Sequence, residues 1–228
     1  MVSLKSLVAF AAAVSVSAFG LPCMGQIQPT ALEVVNRVSR TYSQVSQYEA
    51  EIESSPDSAL SSTKKMFIHV MLKAPKFRVE TEVLESQEEA RLRSLAVYDG
   101  STTWVYNESQ NTYVSSRGQA PDLGEVWISE FRDLSAHYES KGGLTLRLAG
   151  EEHLELEKGS FKDCVLLDLQ YPHETERLWI GKDSGLVLRA RHGGATYTFR
   201  KIELGKPIDD AAFRFAPPPG ARNAASPQ

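Results

Sequence analysis

Cysteine is scarce in this chain, with two residues in 228, Cys23 and Cys164. Cys23 falls in an expected leader, so the mature chain keeps one thiol and has no internal disulfide framework. Charge of one sign is not in excess either. Lys and Arg number 25 against 29 Asp and Glu, a net charge of -4. Removing a leader whose one charged side chain is Lys5 takes it to -5. A mildly acidic chain lacks the electrostatic footprint of a nucleic-acid binder. Past residue 25, no run reaches the ~20 apolar residues of a membrane-spanning helix. Catalytic signatures are missing as well: no GxSxG elbow, no HExxH, no phosphate loop, no GxGxxG. The five histidines are scattered. No segment repeats at a fixed period, and no strand–helix–strand alternation points to a parallel sheet.

What is present begins with an export signal. Lys5 gives a positive start, Leu7 to Phe19 is an uncharged apolar run, and Gly20, Leu21 and Pro22 break it. Gly25 then supplies a small residue before Gln26. This order predicts a signal peptide over residues 1–25. The mature chain is expected to begin at Gln26 and to be soluble in the periplasm. Pro22 stands where a lipid-attachment motif needs a small residue, so Cys23 is expected to carry no lipid.

Two helical patterns interrupt a series of strands. Thr30 and Glu33 fit a capping box. Leu32, Val35, Val38, Tyr42, Val45 and Tyr48 then recur at helical spacing, predicting a helix from Leu32 to about Tyr48. The period next switches to two. Met66, Ile68, Val70 and Leu72 share one face of a strand, and after a turn at Lys73-Ala74-Pro75-Lys76 so do Phe77, Val79, Thr81 and Val83. Arg78, Glu80 and Glu82 occupy the other face, as in a sheet wetted on one side. Glu85 to Arg93 reads as a solvated hairpin tip. Further strands are expected at Leu95–Tyr98, Thr102–Asn107 and Thr112–Ser116. Asp122 and Glu125 cap a second helical region whose apolar side is Val126, Trp127, Phe131 and Leu134. Strands resume from Leu144 to Glu203, joined by turns at Asp183-Ser184-Gly185 and Gly193-Gly194. Beyond Pro217 the chain should be loose, and residues 221–228 are expected to be a disordered tail.

The residues whose types carry chemistry have plain structural readings. Glu151, His153, Glu155 and Glu157 alternate on one strand face, but metal ligands gather around a point, and these lie in line. Asp209-Asp210 reads as a cap for the turn at Ala211-Ala212-Phe213. Cys164 sits in an apolar run and reads as a small buried hydrophobe, not a nucleophile. No catalytic residue, metal site or cofactor is expected. The aromatics Phe77, Trp104, Trp127, Phe131, Trp179 and Phe199 fall on separate elements. An ordinary core and the lining of an apolar ligand site demand the same inward-facing residues, so patterning leaves both open.

Four stretches carry a resemblance. They are Leu72-Lys73-Ala74-Pro75-Lys76-Phe77-Arg78-Val79-Glu80, Val97-Tyr98-Asp99-Gly100-Ser101-Thr102-Thr103-Trp104-Val105-Tyr106, Leu178-Trp179-Ile180-Gly181-Lys182-Asp183-Ser184-Gly185-Leu186-Val187-Leu188-Arg189 and Phe213-Arg214-Phe215-Ala216-Pro217-Pro218-Pro219-Gly220. In order and spacing the chain resembles the LolA/LolB-like outer-membrane lipoprotein carriers over nearly its whole mature length. The resemblance implies a mainly β fold: a strongly curved antiparallel half-barrel of about ten strands, spanning residues 26–220, with an N-terminal helix and a helical insert as a lid. It implies a monomeric carrier that shields acyl chains of lipoproteins or lipids, between an inner-membrane donor complex and an outer-membrane receptor. The alternative on that fold is a regulatory module that senses lipid or lipoprotein. The expected cavity residues are Ile68, Val70, Leu72, Phe77, Val79 and Trp104, with Trp127 and Phe131 closing over them. Family members often carry Arg where this chain has Ala74, so Lys73 and Arg78 are the cations left for lid or loop contacts.

Overall fold

The computed structural model describes residues 29–57, 64–84, 91–118, 128–140 and 144–224. The expected signal peptide, the hairpin tip over 85–90, the Asp122–Glu125 cap with Val126 and Trp127, Gly142-Gly143 and residues 225–228 lie outside them.

Helix α1 (Ala31–Ser43) starts at the expected capping box. The Glu33 carboxylate accepts the Thr30 N–H at 2.6 Å, and the Thr30 hydroxyl accepts the Glu33 N–H at 3.2 Å. Val34, Val35, Val38 and Tyr42 form its buried stripe. The helix stops short of its apolar spacing. Val45 and Tyr48 continue the helical period, yet the chain turns into strand β1 (Gln47–Pro56). Here Tyr48, Ala50, Ile52 and Ser54 point inward, alternating with Glu49, Glu51 and Glu53. Pairing on both sides, with β2 and β11, overrides a marginal helical preference.

Strands β2 (Lys65–Lys73), β3 (Lys76–Leu84), β4 (Arg91–Tyr98), β5 (Thr102–Asn107) and β6 (Thr112–Arg117) form a meander. Two short helices follow, α2 (Ile128–Arg132) and α3 (Leu134–Ser140). A second meander comprises β7 (Thr145–Glu157), β8 (Ser160–Gln170), β9 (Thr175–Gly181), β10 (Val187–His192) and β11 (Ala195–Leu204). A single 3-10 turn (Asp210–Phe213) and the two-residue β12 (Arg222–Asn223) end the chain. Asp209 caps that turn as expected, accepting from the Ala211 N–H at 2.8 Å.

All twelve strands join one sheet in the order β12-β6-β5-β4-β3-β2-β1-β11-β10-β9-β8-β7. This corrects the expected half-barrel of about ten antiparallel strands. The sheet is mixed, because β12 runs parallel to β6. It is open and not strongly curled, with β7 and β12 at opposite edges. Two physical reasons account for the difference. The helices cover the larger apolar patch and the C-terminal segment covers the patch around Trp104, so the sheet need not roll up to hide them. Each edge is also protected separately. Strand β7 carries Arg147, Glu151, Glu152, His153, Glu155 and Glu157 and two bulges, and β6 is paired by β12. Arg222 and Asn223 thus belong to the sheet, although their segment reads as loose from composition.

One face is covered by helices. Its core gathers Val34, Val35, Val38 and Tyr42 of α1, Phe131 and Leu134, and inward residues of seven strands. At its centre the Tyr42 and Phe131 rings lie 5.2 Å apart, and Phe131 meets Phe199 edge-on at 5.7 Å. The Ser39 hydroxyl accepts the Ser135 N–H at 3.0 Å and ties α1 to the insert. The Tyr42 hydroxyl accepts the Val187 N–H at 3.2 Å, and burial pushes its pKa upward. The outer face holds a smaller cluster of Leu154, Cys164, Leu166, Trp179 and Leu188. Cys164 is buried there, out of phase with Val165, Leu167 and Leu169, and burial pushes its thiol up to about 11. Such a thiol is not a nucleophile at neutral pH.

Candidate binding surfaces

The expected cavity residues do not form one group. Ile68, Val70, Phe77, Val79 and Phe131 are buried together in the helix-covered core, and Leu72 packs against it half-buried. Phe77 stacks on Tyr98 at 5.6 Å. Trp104 stands on the opposite, outer face, where its ring stacks on Phe215 at 6.1 Å. Tyr106 and Tyr113 flank the same ring at 6.2 and 5.5 Å. Trp127 lies outside the described residues. Lys73 and Arg78 also stand on the outer face, and both hold the C-terminal segment. The Lys73 ammonium donates to the Ile208 carbonyl at 3.0 Å and pairs with Asp210 at 2.7 Å. Arg78 donates to the Ala212 carbonyl at 3.3 Å.

Two of those core residues belong to a longer feature that the sequence pattern did not single out. Ala50, Val70, Val79, Ala96, Val105 and Val114 are successive cross-strand partners from β1 to β6. They form one apolar row across six strands on the helix-covered face. Its two ends differ in cover. Ala50 and Val70 are fully buried and Val79 is 7% exposed, but Val105 and Val114 are 41% and 43% exposed. Among the described residues, the helices thus cover one end and leave Val105 and Val114 exposed. A signal for this was available. Val105 alternates with Trp104 and Tyr106, and Val114 lies next to Tyr113, so these strands are apolar on both faces. A strand apolar on both faces needs cover on both sides.

On the outer face lies a trough of about 680 Å³. Its walls carry Glu51, Glu53, Glu80, Glu82 and Glu108 with Arg78, Arg93 and Arg200, and its base includes Phe67, Leu95 and Tyr106. At one side the Arg200 guanidinium donates to the Leu156 carbonyl at 2.6 Å and to Glu53 at 2.7 Å. This anchors the tip of the β7–β8 hairpin over β11. The fastened C-terminal segment bounds the other side. A smaller concavity of about 290 Å³ lies beyond Leu156, toward the β9–β10 turn.

Titratable groups elsewhere have structural roles. The Asp168 carboxylate is buried between guanidiniums, accepting from Arg177 at 2.7 and 3.1 Å and from Arg147 at 2.6 Å. Arg177 above all, with Arg147, holds its pKa below the ordinary carboxylate value. The in-line row on β7 is spent on separate contacts: Glu151 on Lys182, His153 on Asp163, and Glu155 on the Gly159 N–H. Glu174, Glu176 and His192 do bring their ligand atoms within 4.8 Å of one another. There the His192–Glu176 pair at 2.8 Å offsets part of the burial cost that raises the Glu176 pKa. No helix among the described residues is long and apolar enough to cross a membrane.

No family model matches the chain. In sequence it is 21% identical over 205 residues to an uncharacterized protein of Methanocaldococcus jannaschii. That match covers 86% of this chain and 54% of the other, so the chain spans about half the length of that relative. Among solved structures, an uncharacterized conserved protein from Thermus thermophilus superposes with a TM-score of 0.50 at 17% identity, covering 86% of this chain and 98% of that one. MucB, also solved in complex with MucA of Pseudomonas aeruginosa, gives 0.48 at 18% identity, over 82% of this chain and 62% of its own. LprF from Mycobacterium bovis gives 0.48 at 13% identity, over 80% and 96%. At these identities the likeness is one of fold. The resemblance read from sequence is supported at the level of a shared fold and not as a specific likeness to LolA or LolB.

Proposed function

We propose that this protein is an exported lipid- or lipoprotein-sensing binding module that acts in the periplasm on a protein partner, and is not an enzyme. The observation that carries this reading is the apolar row from Ala50 to Val114, bare at its Val105–Val114 end. Side chains no larger than valine make the row shallow, so an extended acyl chain can lie along it in close contact. Each methylene it removes from water is worth ~0.8 kcal/mol. The bare end, Val105 and Val114, spans two neighbouring strands and therefore extends about 5 Å. That length takes part of a long acyl chain and leaves the rest outside. A shuttle must keep the whole chain from water, whereas a sensor needs only enough contact to recognise it. Ile68, Val70, Phe77 and Val79 support this surface from the closed end, and Phe131 packs in the same covered core.

The test is binding of a fluorescent acyl probe to the mature protein. Wild type is expected to bind with micromolar affinity. A Val105→Glu and Val114→Glu double variant is expected to keep its circular-dichroism spectrum and lose binding at least about 10-fold, because acyl contact would desolvate unpaired carboxylates. Ser115→Glu, on the outer face of β6, is expected to bind as wild type. Unchanged binding by the double variant would remove the row as the site. Mass spectrometry of lipid extracted from protein purified out of its own periplasm would then identify the natural ligand.

A further inference from the structure

We propose that Glu174, Glu176 and His192 bind one divalent transition-metal ion of the zinc class, at the end of the β8–β9–β10 wing. The site is independent of the lipid reading.

Strand pairing makes the site. Glu176 is the cross-strand partner of Leu169, a residue of the helix-covered core, and so stands on that face. One register step beyond the pair of Arg191 with Arg177 brings His192 beside it, with Nδ1 2.8 Å from a Glu176 carboxylate oxygen. Glu174 comes two residues earlier, at the end of a turn that the Tyr171 N–H closes by donating to the Glu174 carbonyl at 2.9 Å. The three residues each offer one ligand atom, and these atoms lie within 4.8 Å of one another. Ligand atoms held at ~2.1 Å from one ion stand about 3–4 Å apart, so rotation of the exposed Glu174 side chain closes the set. Glu176 and His192 both keep access to water, and an ion reaches them without opening the fold.

Charge is the second argument. Glu130 of α2 adds a third carboxylate, whose field reaches Glu176 and Tyr171 from the insert. Burial first, then Glu176, Glu130 and Glu174, push the Tyr171 hydroxyl up to about 12. Cations nearby in sequence are committed elsewhere: Arg132 to Asp133, Arg177 to Asp168 and Arg191 to Asp57. Among the described residues no Lys or Arg pairs with Glu130, Glu174 or Glu176. One imidazolium offsets at most one of the three carboxylates. The outer-face trough differs, since Arg78, Arg93, Arg200, Lys65 and Lys201 meet its carboxylates. A divalent ion supplies at one point the charge that this cluster lacks.

The donor set selects the ion. An imidazole nitrogen with carboxylate oxygens suits zinc and its neighbours, whereas magnesium and calcium favour shells of oxygen alone. Three protein ligands leave a position for water or for Glu130. The row on β7 lies in line, but these residues converge. Sequence patterning expects no metal site, because His192 joins the two glutamates only through the pairing of β9 with β10.

The experiment is isothermal titration calorimetry of the untagged mature protein with Zn2+ alone. One ion per chain is expected to bind. His192→Ala and Glu174→Gln are each expected to weaken binding at least about 10-fold, since losing a ligand costs no less than losing an outer-shell partner. His69→Ala and His153→Ala, at other His–carboxylate pairs, are expected to bind as wild type. Zn2+ in excess is expected to raise the Tm of wild type and to leave that of His192→Ala unchanged. Affinity is expected to fall at about pH 5, where protons compete for the imidazole. Circular dichroism separates lost binding from lost folding, and Glu174→Gln changes an exposed turn residue that folding does not need. Absence of Zn2+ binding would overturn the proposal. So would undiminished binding by both His192→Ala and Glu174→Gln, and Mg2+ binding as tight as Zn2+ would overturn the assignment of an imidazole ligand.

Discussion

The two ends of the apolar row are made of the same residues and meet different fates. At the β1–β3 end, Ala50, Val70 and Val79 lie under α1 and the α2–α3 insert, with Tyr42, Phe131 and Phe199 filling the space above. At the β4–β6 end, Ala96 is half-buried at the margin of that core, and Val105 and Val114 continue the row exposed. Behind them, on the outer face, the C-terminal segment seats Phe213 and Phe215 against the sheet. Among the described residues, the second wing is therefore held from behind and exposed in front. Burial at one end contributes to stability, while the same kind of side chain at the other end adds little to folding and is free to bind. Apolar composition does not by itself distinguish core from site. Which layer covers it does.

The sharpest way to break this comparison is one substitution made at both ends. Val70→Asp places an unpaired carboxylate in a fully buried position and is expected to cost more than about 4 kcal/mol. Urea unfolding would show it as a large fall in midpoint or as failure to fold. Val114→Asp is expected to cost under about 1 kcal/mol, since its carboxylate stays hydrated. Equal losses at the two positions would mean that the β4–β6 end is ordinary core.

A smaller effect concerns the β7–β10 wing, which is pinned by a buried ion cluster that the β4–β6 wing lacks among the described residues. Arg147 and Arg177 keep access to water, so removing the carboxylate charge strands them only in part, and Asp168→Asn is expected to cost about 2 kcal/mol. Its pH dependence follows from the sign of the shift. The folded-state pKa of Asp168 lies below its ordinary value of 3.8, chiefly through Arg177. Its contribution is then complete above the unfolded-state pKa and is lost as pH falls through the folded-state value. Stability measured from pH 6 to pH 2 is expected to fall less steeply in Asp168→Asn than in wild type.

The smallest expected effect is at the strap behind the open wing. Phe215→Ala removes a half-buried ring from contact with Trp104, Tyr106 and Tyr113 and is expected to cost about 1–2 kcal/mol. If the strap only supports the wing, acyl-probe affinity should change less than about threefold. Hydrogen exchange at β6 amides would report the loosening.

Much of the fold was legible because its signals are local. The Thr30–Glu33 cap, the alternation in β2 and β3, and the turns after β9 and β10 are set by residues adjacent in sequence. Strand β1 was not legible, since Val45 and Tyr48 extend the helical period of α1 and nothing local announces that β2 and β11 will pair on either side. The open sheet was hidden for a related reason. Whether a sheet rolls up depends on which layers cover it, and the end of the strap beyond Pro217 reads as a loose tail by composition. The candidate site was legible only in part. Period-two spacing marked Val70 and Val79 as inward-facing, but sequence gives no measure of how far helical cover extends. Trp104 shows the limit most clearly: its aromatic character suggested a lining, and its phase along β5 puts it on the other face.

The most direct test of the open row is photolabelling with a diazirine-bearing fatty acid, followed by peptide mapping. Labels are expected to concentrate in β4–β6, at Ala96, Val105 and Val114, and to disappear in the Val105→Glu and Val114→Glu double variant while the protein remains folded. Labels that fall instead on trough residues such as Phe67 and Leu95, or that spread no differently from a protein without lipid affinity, would contradict it.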